Sequence, residues 1–401
     1  MRKIIFILID GLADIATKNT PLRLASKIFL DSLKGRIHLS YIYPLKKEYW
    51  PKGGNYSVSG LANFHLLGYK LKIKQFKRGP YEAIGSNIKF KNGWLAFRVN
   101  FATVDEKSYV IDRRAGRNIY GLEKLTKEIN SIKFKIPFEL YHIAGHRGVL
   151  IFKTKLSENI SENDPYKTNL RIKKIKPSKK DYLSKKTAEL INNFLEIAYE
   201  KIKISKINLE RQKRNILPAN YLLIREPGNK ILKLKNFFRK YSFKNGLIIA
   251  TNGVDKGTCL SVGFKKYDLN YPNSIINELN NLTKAIFNLG DKYQLLYCHL
   301  KKADELSHDK NFNGKKEFFE KFDDFLKKIF AKFKNDIFVI TGDHITNTQS
   351  GEHMFGPVPL IIINSNLINK PKEISEIEAI KLGEYFKNTN DLWKFLKQNV
   401  S

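Results

Sequence analysis

The chain has 401 residues, 42% of them hydrophobic, which is enough for two domains with packed cores and excludes intrinsic disorder as its main state. Its two cysteines, Cys259 and Cys298, exclude a disulfide framework and a zinc cluster built from thiolates, so the cytoplasm is the expected compartment. The apolar run at 4–9 is far shorter than a membrane span and Asp10 interrupts it, so we expect neither a secreted nor a membrane-embedded protein.

The net charge of +33, from 72 Lys and Arg against 39 Asp and Glu, favours polyanionic partners on its face. The lysines, however, are spread from Lys3 to Lys397, in a sequence rich in Ile, Asn, Phe and Tyr. We therefore interpret the charge mainly as compositional drift at tolerant surface positions. The sequence shows no recognisable nucleic-acid-binding module, so nucleic acid is a weaker alternative partner than a small phosphorylated substrate.

Short aliphatic and β-branched runs, each ending at a polar residue or glycine, alternate with helical patterns along much of the chain. Continuous apolar runs of this kind are typical of buried, mainly parallel strands, and their alternation with helices indicates an α/β core. The predicted strands are 3–9, 221–225, 246–250, 294–299, 336–341 and 360–363. The predicted helices of the second half are 186–202, 271–289 and 315–333.

The middle of the chain has a different pattern, in which two alternating strand-like segments flank a short helical one. These segments are 88–103, 121–132 and 138–154. The combination is typical of a small α+β domain. We place it at 86–175, as an insertion that caps the substrate site of a core formed by 1–85 and 176–401. The lysine-dense segment 167–186 contains few large apolar residues and is expected to be a solvated linker.

Three predicted strands are followed by carboxylate and imidazole residues. Ligands of open α/β sheets bind beyond the carboxyl ends of the strands, so these side chains are candidates for one site. Mixed oxygen and nitrogen donors suit Mn²⁺, Zn²⁺, Co²⁺ or Fe²⁺ better than the all-oxygen sites of Mg²⁺ or Ca²⁺. Singly, such residues are also common as helix caps and surface pairs, but together they predict a two-metal site. The candidates are Asp10, Asp304, His308, Asp343, His344 and His353.

A loop rich in glycine and hydroxyl groups at 53–60 leads into a predicted helix at 61–69. Ser59, at the end of this loop, is either an ordinary helix cap or a nucleophile, because a helix N-terminus also stabilises an anion such as a phosphoserine. A two-metal site that moves phosphate needs a nucleophile, and this context favours the catalytic interpretation.

Arginines are densest at Asp112–Arg117, and a second basic motif lies at Gly145–Arg147. Clustered guanidinium groups repel each other unless an anion lies among them, and their planar forks bind carboxylate and phosphate groups. Pairing with surface Asp or Glu is the structural alternative. A phosphorylated carboxylic acid would fit both the metal site and these arginines.

These motifs carry a resemblance to a known family. The chain resembles the archaeal-type, cofactor-independent phosphoglycerate mutases of the alkaline phosphatase superfamily in stretches along almost its whole length. The resemblance implies an alkaline-phosphatase-like α/β core, with a mainly parallel sheet flanked by helices, and a small inserted α+β domain. It also implies interconversion of 2-phosphoglycerate and 3-phosphoglycerate, in glycolysis and gluconeogenesis, through a phosphoserine. The matching stretches include Ile9–Asp14, Leu66–Tyr69, Arg78–Ala83, Asn100–Asp105, Asp112–Arg117, Gly145–Arg147, Asp304–His308 and Thr341–Pro359.

The resemblance further assigns roles to single residues. It makes Ser59 the nucleophile and implies two divalent ions, with Mn²⁺ preferred over Zn²⁺, Co²⁺ and Mg²⁺, and no dependence on 2,3-bisphosphoglycerate. The implied ligands are Asp10, Ser59, Asp343 and His344 for one ion and Asp304, His308 and His353 for the other. The implied substrate-binding residues are Asp112, Arg113, Arg117, His146, Arg147 and Lys256, with His146 able to exchange a proton.

The chain departs from the family pattern at three positions. Gly60 follows the serine where the family usually has Asp, Gly356 replaces an Asp before Pro-Val-Pro, and Tyr166 replaces a His. The first departure leaves Ser57 as an alternative nucleophile. Because all seven implied metal-binding positions hold competent residues, we expect an active enzyme. The alternative function is a metal-dependent phosphatase or another phosphotransferase of the same superfamily, in which water can replace the retained glycerate as acceptor.

Overall fold

The computed structural model describes residues 2–51 and 58–400. The chain divides into two compact units, each built from segments that are distant in sequence. Unit 1 comprises Met1–Phe76, Lys233–Thr251 and Thr258–Ser401. Unit 2 comprises Lys77–Leu232 and Asn252–Gly257.

The described residues form strands and α-helices that alternate along most of the chain. The strands are β1 (Ile4–Ile9), β2 (Ile37–Ile42), β3 (Leu95–Val104), β4 (Val110–Asp112), β5 (Phe138–Ala144), β6 (Arg147–Phe152), β7 (Tyr221–Gly228), β8 (Gly246–Ala250), β9 (Lys265–Asp268), β10 (Leu295–Leu300), β11 (Ile337–Gly342), β12 (Ile345–Thr346), β13 (His353–Met354) and β14 (Val358–Ile363). The helices are α1 (Pro21–Leu24), α2 (Ile28–Ser32), α3 (Ser59–Leu66), α4 (Arg78–Gly85), α5 (Leu122–Asn130), α6 (Tyr182–Lys203), α7 (Lys206–Lys213), α8 (Phe237–Tyr241), α9 (Val254–Ser261), α10 (Ile275–Leu289), α11 (Lys302–His308), α12 (Phe312–Lys332), α13 (Glu376–Leu382) and α14 (Thr389–Gln398).

Unit 1 is built on a seven-stranded sheet in the order β2-β14-β11-β1-β10-β8-β9. Strands β11, β1, β10, β8 and β9 are parallel, and β14 and β2 run antiparallel at one edge. All six residues of β1 are buried, because a parallel strand in the middle of such a sheet has helices over both faces. The expected α/β fold with a mainly parallel sheet is confirmed.

Helix α12 shows why the helical patterns fold as they do. Its buried Phe318, Phe322 and Phe325 are spaced by three or four residues, so they form one apolar face that packs into the core of unit 1. Asn311 caps the start of the helix by accepting a hydrogen bond from the backbone N–H of Gly314 at 2.8 Å. Among the described residues, we find no helix with the length and apolar character needed to cross a membrane.

Unit 2 contains an antiparallel sheet in which β3 pairs with β4, β6 and β7, and β5 pairs with β6. Helices α5 and α6 contribute to the apolar cluster of this unit. The unit is therefore larger than the insertion expected at 86–175. It also includes α4, α6, α7 and β7, because β7 completes the sheet and α6 packs against it.

Three elements differ from the sequence-based expectations. The predicted strand at 221–225 is β7, which is antiparallel to β3 in unit 2 and is no part of the parallel core. The predicted strand at 360–363 is β14, which is antiparallel to β11. The segment expected to be a linker at 167–186 already contains the start of α6, because Asp181 accepts a hydrogen bond from the backbone N–H of Ser184 at 2.8 Å and caps the helix.

Candidate metal centre and substrate residues

The candidate ligands of unit 1 lie at one edge of its sheet. The central strand β1 pairs in parallel with β10 and β11, so Ile9 stands level with Leu300 and Gly342 and the three strands end together. The residues that follow these ends include Asp10 after β1 and the pair Asp343 and His344 after β11. Helix α11 follows β10 and carries Asp304 and His308. The sheet topology thus brings distant residues to one place.

The first group of candidate ligands surrounds Nε2 of His344. This atom is 3.3 Å from Asp10 Oδ1, 3.2 Å from Asp343 Oδ2 and 3.3 Å from Ser59 Oγ. All four side chains are buried. Asp343 is held in place by the backbone N–H of Gly11, which donates to its Oδ1 at 3.1 Å. Two carboxylates, an imidazole and a hydroxyl that converge in this way fit a divalent cation with mixed oxygen and nitrogen ligands.

The second group of candidate ligands surrounds the carboxylate of Asp304. Its Oδ2 is 3.3 Å from His308 Nε2, and its Oδ1 is 3.4 Å from His353 Nε2. The two imidazole Nε2 atoms are 3.1 Å apart. His308 Nδ1 lies 2.7 Å from the carbonyl oxygen of Gly351, so Nδ1–H donates to that oxygen. The other nitrogen, Nε2, faces Asp304 and His353. Asp304 and His353 also form a compact group with His344, which places the two ligand groups side by side.

Glycine is required between the two groups. Gly11 has a left-handed backbone with φ of +63°, and a Cβ atom there would lie 2.6 Å from Thr346 Oγ1 and 2.9 Å from Asp304 Oδ1. These distances are too short for any side chain, so the chain passes directly against the ligand carboxylate only because residue 11 is glycine. The close approach of the Gly11 backbone to Asp304 and the oxygen and nitrogen donors of the two groups together fit two metal ions.

The electrostatics of the site favour ionised carboxylates. Burial and the charge of Asp304 raise the pKa of Asp10, but His344 and Lys301 outweigh them and hold it below its usual range. Burial also opposes ionisation of Asp304, but His308 and His353 hold its pKa well below the ordinary value. Burial lowers the pKa of His344, whereas Asp343, Asp10 and Asp304 raise it by a larger amount. The site therefore presents fixed negative charge to a cation.

Ser59 is the first residue of α3, a helix whose eight residues are all buried. Asn63 in this helix donates through Nδ2 to Thr258 Oγ1 at 2.6 Å and accepts from the hydroxyl of Tyr297 at 2.6 Å. Trp393 Nε1 donates to the carbonyl oxygen of Leu66 at 2.7 Å. These bonds fix the helix whose N-terminus presents the serine hydroxyl. The expected loop at 53–60 and the alternative nucleophile Ser57 lie outside the described residues, except for 58–60.

The six candidate substrate-binding residues all belong to unit 2. Asp112 ends β4, and its Oδ1 accepts backbone hydrogen bonds from Arg114 at 2.6 Å and Gly116 at 3.2 Å, so it shapes the segment 113–117, which we call the basic loop. Arg113 binds the buried carboxylate of Asp164 with Nε at 3.0 Å and Nη2 at 2.7 Å. In this structure, then, the anion that Arg113 binds is a side chain of the protein.

The other four candidates have different environments. Arg117 is exposed, and its backbone is left-handed with φ of +55°. Arg147 begins β6 opposite Asn100 of β3. Burial, together with Arg147 and three further arginines, lowers the pKa of His146 well below its usual value, so this imidazole is neutral. Lys256 is fully buried, and its Nζ donates to Asn252 Oδ1 at 2.7 Å.

Unit 2 also contains an arginine group that the sequence motifs did not reveal. Arg98 lies on β3, and burial followed by the charges of Arg78 and Arg225 lowers its pKa well below the ordinary value. Arg78 Nε donates to Glu82 Oε2 at 2.7 Å, so it is already neutralised by a carboxylate four residues away. Such a spacing from Arg78 to Glu82 is a sequence signal for an ion pair, whereas the approach of Arg98 to Arg225 depends on the pairing of β3 with β7.

Comparison with known proteins assigns the family. A family model described as "2,3-bisphosphoglycerate-independent phosphoglycerate mutase" matches residues 51–208. The enzyme of that name from Methanococcus aeolicus is 35% identical over 369 residues, which cover 90% of this chain and 88% of the relative. The chain belongs to this mutase family. The similarity to this 2,3-bisphosphoglycerate-independent phosphoglycerate mutase extends over almost the whole length of the chain.

Further relatives agree with the family assignment. Mutase 1 of Methanocaldococcus jannaschii is 33% identical over 390 residues, 94% of this chain and 92% of the relative. Among solved structures, a cofactor-independent phosphoglycerate mutase from Thermoplasma acidophilum covers 100% of both chains with a TM-score of 0.62 and 25% identity. A protein from Pyrococcus horikoshii covers 100% of this chain and 98% of its own, with a TM-score of 0.76 and 25% identity.

Two departures from the mutase pattern have structural correlates. A Cβ atom at Gly356 would lie 2.3 Å from Ile345 Cδ1, so the glycine leaves room for that isoleucine. The hydroxyl of Tyr166 donates to Glu162, and its ring lies 5.3 Å from the guanidinium carbon of Arg113. Gly60 is the buried second residue of α3, and nothing in the structure explains its replacement of Asp.

Proposed function

We propose that the chain interconverts 2-phosphoglycerate and 3-phosphoglycerate through a phosphoserine at Ser59, with two divalent ions, preferentially Mn²⁺. The observation that carries the proposal is the position of Ser59 Oγ, 3.3 Å from His344 Nε2 and at the N-terminus of α3. A hydroxyl that shares a ligand group with two carboxylates is placed to become a nucleophile. The free amides of the helix N-terminus then favour the negative charge of a phosphoserine.

The residues that would hold the ions fall into the two groups described above. Asp10, Ser59, Asp343 and His344 would hold one ion, and Asp304, His308 and His353 would hold the other. When bound, such ions lower the pKa of a coordinated hydroxyl and neutralise charge on phosphate oxygens. Asp10, Ser59, Asp343 and His344 are buried, which keeps bulk water from competing with the serine, whereas the three residues of the other group are half-buried.

The proposed reaction consists of two phosphoryl transfers. Ser59 Oγ forms a bond to the phosphorus of the substrate while the bond from phosphorus to the glycerate oxygen breaks. The second hydroxyl of the retained glycerate then attacks the phosphoserine, and Ser59 Oγ leaves. In each transfer one proton passes from the attacking hydroxyl to the leaving oxygen, so atoms and charge balance over the cycle.

Binding of the glycerate carboxylate and phosphate is proposed for the basic residues of unit 2. Arg98 supports this role, because a buried guanidinium near Arg78 and Arg225 is stabilised by an added anion. Asp164 already neutralises Arg113, so we propose that Arg113 orients the basic loop as well as binding substrate. The neutral His146 could accept a proton in the same region.

The experiment is to supply 3-phosphoglycerate with Mn²⁺ to the purified chain and to follow 2-phosphoglycerate and free phosphate separately. The proposal expects 2-phosphoglycerate without 2,3-bisphosphoglycerate in the assay, and a phosphorylated Ser59 peptide after acid quenching. Release of free phosphate without 2-phosphoglycerate would instead identify a phosphatase. Phosphate on another residue would reject Ser59 as nucleophile.

A further inference from the structure

Thr346 lies between the two ligand groups and belongs to neither. It is the last residue of the short strand β12 and is fully buried. Its Oγ1 is 2.7 Å from Asp304 Oδ1 and 3.0 Å from His344 Nδ1. A single hydroxyl therefore contacts one ligand from each group.

The chemistry of the three atoms fixes the direction of both hydrogen bonds. An ionised carboxylate can only accept, so the hydroxyl proton of Thr346 is donated to Asp304. The hydroxyl oxygen is then the acceptor toward His344, which must carry its proton on Nδ1. Because Nδ1 keeps this proton, Nε2 is the nitrogen that can bind an ion, and it is the atom that faces Asp10, Asp343 and Ser59.

We infer that Thr346 is a positioning residue that orients His344 and Asp304 for the two ions. The inference rests on the proposed two-metal function. The hydroxyl selects the tautomer of His344 that can bind an ion through Nε2. It also donates a hydrogen bond to one oxygen of Asp304, so the positions of Asp304 and His344 depend on each other through this hydroxyl.

The backbone of Thr346 is fixed from three directions, so its hydroxyl has a defined position. Thr346 stands opposite His353 in the pairing of β12 with β13. Its N–H donates to the carbonyl oxygen of Ala13 at 3.1 Å. Its own carbonyl oxygen accepts from Nζ of the fully buried Lys315 at 3.2 Å, and the same Nζ is 3.3 Å from the Ala13 carbonyl oxygen.

The test replaces the hydroxyl and keeps the shape. Thr346→Val removes the donor and acceptor with little change in volume, and Thr346→Ser keeps the hydroxyl. Thr348→Val is the matched control, because the buried Thr348 hydroxyl lies in the same loop and donates to Asp14, which is outside both ligand groups, at 2.6 Å. Each full-length chain is titrated with Co²⁺, and the visible absorption of the bound ion and the affinity are measured together with circular dichroism and thermal unfolding of the metal-free protein.

Thr346→Val is expected to bind Co²⁺ about 10- to 100-fold more weakly than the wild-type chain and with an altered visible spectrum, as is typical when a group that orients a ligand is removed. Thr346→Ser should restore the affinity and the spectrum, and Thr348→Val should keep both. Wild-type affinity and spectrum in Thr346→Val would overturn this inference and leave the proposed function intact. An equal loss in Thr348→Val would also overturn it, since the loop and not the hydroxyl would then be responsible. If the wild-type chain itself bound no Co²⁺, both proposals would fail.

Discussion

Replacement of Gly11 by alanine is the smallest change that should disturb the proposed metal centre. The added methyl group would lie 2.6 Å from Thr346 Oγ1 and 2.9 Å from Asp304 Oδ1. Both distances are below any normal contact of a Cβ atom, so the threonine and the aspartate must move apart or the loop after β1 must shift. Either movement changes the bond between Thr346 and Asp304 that we infer to orient the ligands.

The expected loss of stability in Gly11→Ala is the sum of two costs. Alanine at a φ of +63° costs about 1–2 kcal/mol in backbone strain alone. The steric overlap with a buried site adds a further cost of about 1–3 kcal/mol. Gly145→Ala is the matched control, because Gly145 has φ of +56° and no atom lies within 4 Å of the position that its new methyl group would take. This variant should therefore show the strain without the overlap.

The assay is Mn²⁺ binding by calorimetry, combined with thermal unfolding of the metal-free chains. Gly145→Ala should lose stability but keep the Mn²⁺ affinity of the wild-type chain. Gly11→Ala should lose more stability and bind Mn²⁺ at least about tenfold more weakly, because displaced ligands weaken metal binding by this order. Wild-type Mn²⁺ affinity in a folded Gly11→Ala variant would show that residue 11 does not abut the metal centre.

Three further predictions concern the nucleophile, a buried histidine and the basic loop. Ser59→Ala should lower turnover by at least about 10³-fold while the chain still binds divalent ions, as measured by product formation and metal analysis. Burial lowers the pKa of His38 from 6.5 to about 4, so between these pH values the unfolded chain binds the extra proton and acid should remove up to about 3 kcal/mol of stability. His38→Phe should lose that part of the pH dependence of unfolding. Arg211→Met should cost about 3 kcal/mol and raise KM, because the buried guanidinium donates to the carbonyl oxygens of Ala115 at 3.0 Å and Leu217 at 2.8 Å, next to the basic loop.

Each of these predictions has a result that contradicts it. Turnover within tenfold of the wild-type value in Ser59→Ala would place the nucleophile elsewhere. An unchanged slope of stability against pH below 6.5 in His38→Phe would show that this imidazole is not the group concerned. Lys213→Met is the control for Arg211, since Lys213 is exposed on the same helix. Equal effects of the two substitutions would contradict the role of Arg211 in shaping the loop.

The sheet of unit 1 illustrates what the sequence reveals about the fold. The runs at 3–9, 294–299 and 336–341 are continuous and apolar because β1, β10 and β11 are covered on both faces, so their presence could be predicted from the pattern alone. The directions of β7 and β14 could not, because an apolar run looks the same whether its neighbour is parallel or antiparallel. The membership of β7 in unit 2 likewise depends on its pairing with β3.

In the candidate site, too, some residues could be predicted from the sequence and others could not. Carboxylates and histidines that follow apolar strands have a sequence signature, and the structure brings them together as the sheet topology requires. The bond between Arg113 and Asp164 joins residues 51 positions apart, and no local pattern distinguishes that aspartate from a surface one. Thr346 has no sequence signature for the same reason, because a threonine in a strand is common and its importance here comes from the two atoms that its hydroxyl meets.

The proposed function requires two divalent ions per chain, one held by the group that includes Ser59 and one by the group around Asp304. The most direct measurement is the number of Mn²⁺ ions bound per chain at equilibrium, determined for the wild-type chain and for Asp304→Ala. Two ions are expected in the wild-type chain and one in the variant, since Asp10, Asp343 and His344 would still hold the first. A single ion or none in the wild-type chain, or two in the variant, would contradict the proposed function.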